Sequence, residues 1–198
     1  MRLILTRHGE TIENIKKLHQ GWLPGKLSKK GLKQAKLLAR RLKNIKIDVI
    51  YTSDLNRCLE TTKAIAKFHK NAKLIKAKLL REMNHGVFNG TPNKLKYWKT
   101  LNGGRFDSRP EKGESLNDIW KRVKSFYKKL VKNNINDDVL IVAHSGTICC
   151  LQSMICGKGI EYALKMIKIK NTAVTEIEIN PKGNYKILCL NCDKHLQD

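Results

Sequence analysis

The stretch Leu3-Ile4-Leu5-Thr6-Arg7-His8-Gly9-Glu10-Thr11 is a short apolar run that stops on an arginine, a histidine and a glycine. Three consecutive aliphatic residues predict a buried strand, and the polar cluster behind them predicts a strand end opening onto a turn. In open α/β sheets ligands gather at such places, where glycine lets the backbone turn tightly and a following helix offers its amides to an anion. A histidine there can attack, and an arginine beside it can hold phosphate. Far along the chain, Val139-Leu140-Ile141-Val142-Ala143-His144-Ser145-Gly146-Thr147 repeats the plan. Two strand-end histidines predict one shared pocket.

Bulk properties narrow the function classes. A chain of 198 residues is long enough to bury a core without disulfides or metals. No apolar run reaches the roughly 18 to 20 residues needed to span a bilayer, and a cleavable leader would remove the first motif, so a cytoplasmic protein with no membrane partner is expected. The formal charge of +23 invites a nucleic-acid reading. Its distribution argues otherwise: of 40 basic residues 31 are Lys, scattered in blocks no longer than a pair, where interaction tails are dense. No specific nucleic-acid partner is expected; the excess steers anionic substrates toward a cleft. The six cysteines do not make a disulfide scaffold in such a chain. Cys189-Leu190-Asn191-Cys192 with His195 has metal-ligand spacing but lacks a second pair; no metal and no cofactor are expected.

Taken in order, Asn14 to Gly25 reads as a loop over the site, and Ser28 as the cap of a helix with an apolar stripe at Leu32, Ala35, Ala39 and Leu42. Ile47 to Thr52 reads as a second strand, with Ser53-Asp54 capping a helix that carries Arg57 in its first turn. That helix continues through Ala64, Ile65 and Phe68, and Ala72 to Ala77 makes a short third strand. Met83 to Lys112, broken by Gly86, Gly90, Pro92, Gly103, Gly104 and Pro110, reads as an excursion with one helix around Lys94 to Leu101. Glu114-Ser115 opens a long helix buried along Leu116, Ile119, Val123, Tyr127 and Leu130. After the Val139 to Ala143 strand, Ser145 caps a helix through Met154 and Ile155. Thr172 to Ile179 and Tyr185 to Leu190 form a hairpin about Asn180-Pro181-Lys182-Gly183-Asn184.

Five ordered blocks carry a family resemblance: Arg7-His8-Gly9-Glu10-Thr11 with Asn14, Gln20-Gly21-Trp22, Leu27-Ser28 and Gly31-Leu32-Lys33-Gln34-Ala35; Ser53-Asp54-Leu55-Asn56-Arg57-Cys58-Leu59-Glu60-Thr61; Leu80-Arg81-Glu82; Gly113-Glu114-Ser115; and Ala143-His144-Ser145-Gly146. Together they resemble the histidine phosphatase superfamily, the phosphoglycerate-mutase-like fold. The resemblance implies a single α/β domain over residues 1–198, a three-layer α/β/α arrangement. Its central sheet is expected to be mostly parallel with an antiparallel edge strand, and the excursion at about residues 83–112 to roof the active site.

Phosphoryl transfer asks a protein mainly to position groups and to neutralise charge on phosphate oxygens. Arg7, Arg57 and His144 are the expected phosphate clamp, with Ser145 and Gly146 adding backbone donors. His8 is the expected nucleophile, kept unprotonated by the nearby positive charge. The resemblance makes Glu82 the general acid and base, with Glu10 the competing acid, and matches Asn14, Gln20 and Gly21 to positions that touch phosphate or substrate. Arg81, His85, Arg105 and Arg109 are candidates for substrate selection, whereas His19, His69 and His195 read as surface residues.

The expected function is hydrolysis of small phosphorylated metabolites through a phosphohistidine. The alternatives are a cofactor-dependent phosphoglycerate mutase and a non-catalytic, basic nucleic-acid-binding protein on the same fold. The short span from Glu82 to Gly113 resembles broad-specificity and alpha-ribazole phosphatases. Phe88-Asn89 stands where such phosphatases commonly carry Trp and an acid, which leaves the substrate open. A homodimer also stays open.

Overall fold

The computed structural model describes residues 1–102, 104, 106–166 and 168–197. In chain order the main elements are β1 (Arg2–Arg7), α1 (Ile12–Ile15), α2 (Lys29–Leu42), β2 (Val49–Thr52), α3 (Asn56–Ala66), β3 (Lys73–Lys76), α4 (Leu116–Asn134), β4 (Asp138–Ala143), α5 (Ser145–Ile155), α6 (Ile160–Lys165), β5 (Val174–Ile179) and β6 (Tyr185–Cys192). Among the described residues one six-stranded sheet runs in the order β3-β2-β4-β1-β5-β6. The four strands from β3 to β1 are parallel, and the β5–β6 hairpin joins antiparallel beside β1.

The continuous aliphatic runs of β1 and β4 suit a sheet covered on both faces. Because successive side chains alternate sides, Leu3, Leu5, Val139 and Ile141 meet Ile119, Val123, Phe126 and Leu130 of α4 and Ile148 and Leu151 of α5. Ile4, Leu140 and Val142 face the other way, onto Leu38 and Leu42 of α2 and Ile65 of α3. The result is three layers, α/β/α. Parallel register pairs Arg7 with Ala143, so the residues just beyond, His8 and His144, emerge side by side at the carboxyl edge of the sheet.

Local readings shift in several places. On α2 the buried face is Gly31, Gln34, Ala35, Leu38, Ala39 and Leu42, and Leu32, about 100° around the helix from Gly31, is 48% exposed. On α4 Phe126 takes the buried position expected of Tyr127, with its ring edge-on to Tyr51. The helix expected around Lys94 to Leu101 is a single 3-10 turn, Tyr97–Lys99; only Tyr97 is buried there, so no apolar face extends along it. The N-cap of α3 is Leu55, not Ser53 or Asp54, whose side chains serve tertiary partners instead. Helix α5 begins at Ser145 with His144 as N-cap. The stretch from Asn14 opens with the one-turn helix α1, held by a reciprocal cap between Thr11 and Asn14. Ser28 and Ser115 cap α2 and α4 as read. Among the described residues no helix is long and apolar enough to cross a membrane.

The turn after β1 presses onto α2 through two glycines. A Cβ on Gly9 would lie 2.6 Å from the Gly31 carbonyl oxygen, and one on Gly31 would overlap the backbone of Glu10. In an ordinary helix Gly→Ala gains about 1 kcal/mol. Here the sign reverses: Gly31→Ala is expected to lose roughly 1–3 kcal/mol, read as a lower urea midpoint. A variant at least as stable as the parent would show that the turn does not depend on this close approach.

Candidate active site

At the end of β1, His8 is only 3% exposed. Its Nδ1 lies 2.8 Å from the Gly9 carbonyl oxygen. A carbonyl can only accept, so Nδ1 carries the proton and Nε2 keeps its lone pair. The turn that holds this geometry is fastened by Gly9 N donating to Thr61 Oγ1 at 3.0 Å. It is also fastened from the far end of the chain, where Asn171 Nδ2 donates to the His8 carbonyl at 2.9 Å and to Asn14 Oδ1 at 3.3 Å.

Two buried guanidiniums flank His8. Arg7 donates from Nη1 to the Ile169 carbonyl at 2.8 Å, while its buried Nε has no partner among the described residues. Arg57 donates to the carbonyls of Leu23 (2.6 Å) and Gly21 (2.8 Å) and from Nε to His144 Nδ1 (3.3 Å). These three bonds leave two of its five N–H groups. Neither arginine has a carboxylate ion-pair partner among the described residues. His144 is fully buried behind them, its ring edge-on to His8 at 5.2 Å. Since its Nδ1 accepts from Arg57, its Nε2 carries the proton, donated to Ser53 Oγ at 2.9 Å.

Arg7, His8 and Arg57 form one wall of a cavity of about 710 Å³ that Glu82, Asn14 and Gln20, among others, also line. Glu82 is set by two backbone amides, Met83 N to Oε1 at 3.1 Å and Gly146 N to Oε2 at 3.2 Å. Its backbone is pinned by Trp22 Nε1 (2.7 Å) and Arg122 Nη2 (2.9 Å), both donating to its carbonyl. Of the expected binding residues, Asn14, Gln20, Gly21, Ser145 and Gly146 also line the cavity. The Oε1 of Gln20 is buried without a partner among the described residues. Ser145 Oγ is used structurally, accepting from Ile169 N at 3.2 Å, and Gly146 N is taken by Glu82. Glu10 reaches the cavity, but its carboxylate accepts from Ser28 Oγ at 2.9 Å and lies 3.6 Å from Lys30.

The candidates for substrate selection divide. His85 lines the cavity; Arg81 is locked bidentate on Asp54 at 2.6 and 2.7 Å; Arg109 pairs with Asp118 on the surface; Arg105 lies outside the described residues. His19, read as a surface residue, is a lining residue whose ring packs 4.8 Å from that of His85. Lys17, Asn93, Lys168 and Asn171 also line it, without having been expected there. The signal for His19 was its place beside Gln20; the other four carry none in sequence. Cys189, Cys192 and His195 gather around Arg41, which donates to the Cys192 carbonyl and contacts His195 Nδ1 at 2.9 and 3.1 Å. Among the described residues no group of three or more His, Cys, Asp or Glu is placed to hold a metal ion.

Burial and then the Arg57 and Arg7 charges hold His8 well below the ordinary imidazole value of 6.5. Burial, Arg57 and His8 itself do the same to His144. The folded pKa values are depressed for cationic acids, so both rings stay neutral in the fold while the unfolded chain takes up protons below pH 6.5. Stability is therefore expected to fall as pH drops through that value, each ring contributing a slope of up to roughly 1.4 kcal/mol per pH unit. Urea unfolding at about pH 7.5 and about pH 5.5 checks this, and a His144→Gln variant with an unchanged slope would contradict it.

The geometry agrees with what the chain is similar to. The family profile for the histidine phosphatase superfamily (branch 1) matches residues 3–193. Phosphoserine phosphatase 1 of Hydrogenobacter thermophilus is 31% identical over 99% of this chain and 94% of its own. The alpha-ribazole phosphatase of Shigella flexneri superposes with a TM-score of 0.88 at 24% identity, covering 98% of this chain and 97% of that one. A phosphoglycerate mutase from Bacillus anthracis superposes at 0.79 with 25% identity, over 100% of this chain and 95% of that one. With its strand-end histidine, paired arginines and nearly full-length match, the chain belongs to the histidine phosphatase superfamily, branch 1.

Proposed function

We propose that this histidine phosphatase hydrolyses small phosphomonoesters through a phosphohistidine at His8. The observation that carries the reading is the Nε2 lone pair of His8, held between two buried guanidiniums that have no carboxylate ion-pair partner among the described residues. A phosphoryl group supplies the missing negative charge. Arg7, with its unused Nε–H, and Arg57, with its spare N–H groups, grip the equatorial oxygens. Asn14 and Gln20 add neutral polar contacts from the loop. His144 acts from behind, keeping Arg57 and the His8 ring in place.

In the first step the Nε2 lone pair attacks phosphorus in line, a P–N bond forms and the ester P–O bond breaks. Glu82, protonated, gives its proton to the departing alkoxide. In the second step Glu82, now a carboxylate, takes a proton from water, whose oxygen attacks phosphorus; the P–N bond breaks and neutral His8 is restored with release of phosphate. The amides of Met83 and Gly146 aim the carboxyl group throughout. Metabolites are favoured over phosphoproteins because the cavity is walled by Lys17, His19, His85 and Lys168, a setting for a compact substrate with a further anionic or polar group. A mutase is the second reading: the same lysines suit a bisphosphorylated intermediate, which would re-phosphorylate a second hydroxyl instead of yielding to water.

Three outcomes test these roles. His8→Ala is expected to lower metal-free hydrolysis of p-nitrophenyl phosphate by about a thousandfold or more, and acid-labile phosphate should be trapped on the parent only; a full rate from the variant would rule out the mechanism. A Cβ at Gly146 would lie 2.5 Å from Glu82 Oε1, so Gly146→Ala should disturb Glu82 while leaving the arginines alone. Both Gly146→Ala and Glu82→Gln should lower kcat/KM, which reports the phosphorylation step, by roughly a hundredfold on alkyl phosphates and much less on p-nitrophenyl phosphate, whose leaving group needs no proton; equal losses of kcat/KM on both substrates would remove Glu82 as the acid for the leaving group. With 3-phosphoglycerate and a bisphosphoglycerate primer, phosphate release should outrun isomerisation, and the reverse order selects the mutase.

A further inference from the structure

Glu82, the proton donor of the proposed reaction, is held by the backbone amides of Met83 and Gly146. The same two residues, with Ser145 and Lys168, line both the phosphate cavity and an adjoining hollow of about 250 Å³. The other residues lining that hollow are apolar, among them Leu116 and Ile119 of α4, Cys149 of α5, Ala163 and Leu164 of α6, and Met166. Ile119 and Ala163 are buried, while Leu164 remains 38% exposed. Met83, Leu116 and Leu164 also border a further hollow of about 290 Å³, whose walls include Tyr97 and Trp98. Apolar surface left facing water in this way is unfavourable, and an apolar cavity of only about 150 Å³ already takes benzene.

We propose that the substrate is the phosphomonoester of an alcohol with an aromatic or branched hydrocarbon substituent, and that this substituent occupies the hollow beside Glu82. The inference rests on the phosphatase reading. In-line attack by His8 Nε2 sends the leaving oxygen out on the opposite side of phosphorus. The carboxyl group that protonates this oxygen must lie within about 3 Å of it. The alcohol therefore starts at Glu82, and its carbon chain leads away over the two residues that hold that carboxyl group, Met83 and Gly146. Beyond them the walls given by α4, α5 and α6 are apolar. A hydrocarbon group there leaves water together with the surface it covers, whereas a polar group would lose its hydration and find no partner on those walls. Lys17, His19 and Asn93 in the first cavity stay available for a polar group of the same alcohol.

Esters of primary alcohols with similar leaving-group basicity test it: ethyl phosphate, 3-phenylpropyl phosphate, and 2-(2-hydroxyethoxy)ethyl phosphate, which has a comparable reach but is polar. The kcat/KM of the full chain on the phenylpropyl ester is expected to exceed that on ethyl phosphate by about tenfold or more, with the polar ester close to ethyl phosphate. Leu164→Asp, which sets a charge at an exposed position of the hollow, should cut that preference by about threefold or more. The preference is a ratio between two substrates, so it does not depend on how much of the variant is folded. In calorimetry 3-phenylpropylphosphonate, which cannot be hydrolysed, should bind about tenfold more tightly than ethylphosphonate. A kcat/KM on the phenylpropyl ester no higher than on either other ester, or a preference that Leu164→Asp leaves intact, overturns the inference while the phosphatase reading stands. If none of the esters is turned over, the phosphatase reading fails and the phosphonates decide the hollow: equal affinities overturn it, and tighter binding of the aromatic one supports it.

Discussion

The parallel pairing of β1 with β4 is the constraint on which the site depends. Its register sets Arg7 against Ala143, and both strands end at the same edge with a histidine as the next residue. Each strand is buried on both faces, so a slip of one residue would exchange Leu3 and Leu5 for Ile4 between two different cores. The packing that holds the sheet therefore also holds the distance between the two imidazoles. Gly9 and Gly31 add the second restraint, letting the turn after β1 lie directly on α2.

Charge is divided between scaffold and site. Arg81 and Arg122 have carboxylates of their own, Asp54 and Glu114, and Arg122 also donates to the carbonyls of Arg81 and Glu82, fixing the chain there. Among the described residues Arg7 and Arg57 are bonded only to carbonyls and an imidazole. Buried cations without counter-charges are costly, and the fold limits that cost by keeping His8 and His144 neutral. The same arrangement leaves the site positive overall and leaves His8 with a free lone pair on Nε2.

Arg57 fixes the tautomer of His144, whose other ring nitrogen donates to Ser53; Thr61 fixes the turn after His8; Asn171 ties that turn to Asn14. Read from sequence, Ser53 was a helix cap and His144 a phosphate ligand. Folded, Ser53 gives up capping for His144, and His144 sits behind the cavity wall.

The sequence by itself determined the strand–turn motif at Arg7 to Thr11, its repeat at Ala143 to Gly146, the Ser28 and Ser115 caps, and the presence of Arg57 in the first turn of α3. Those features are local, and period, capping chemistry and turn residues report them directly. Only the tertiary structure decided that Ile169 and Asn171, more than 160 residues from their partners, hold Arg7 and His8. It also decided that His19, Lys17 and Lys168 share one cavity, and that Leu32 and Tyr127 yield their expected core places to Leu38 and Phe126. Contacts between residues so far apart leave no periodic trace in the chain, because they are fixed by how the layers pack and not by the residues on either side.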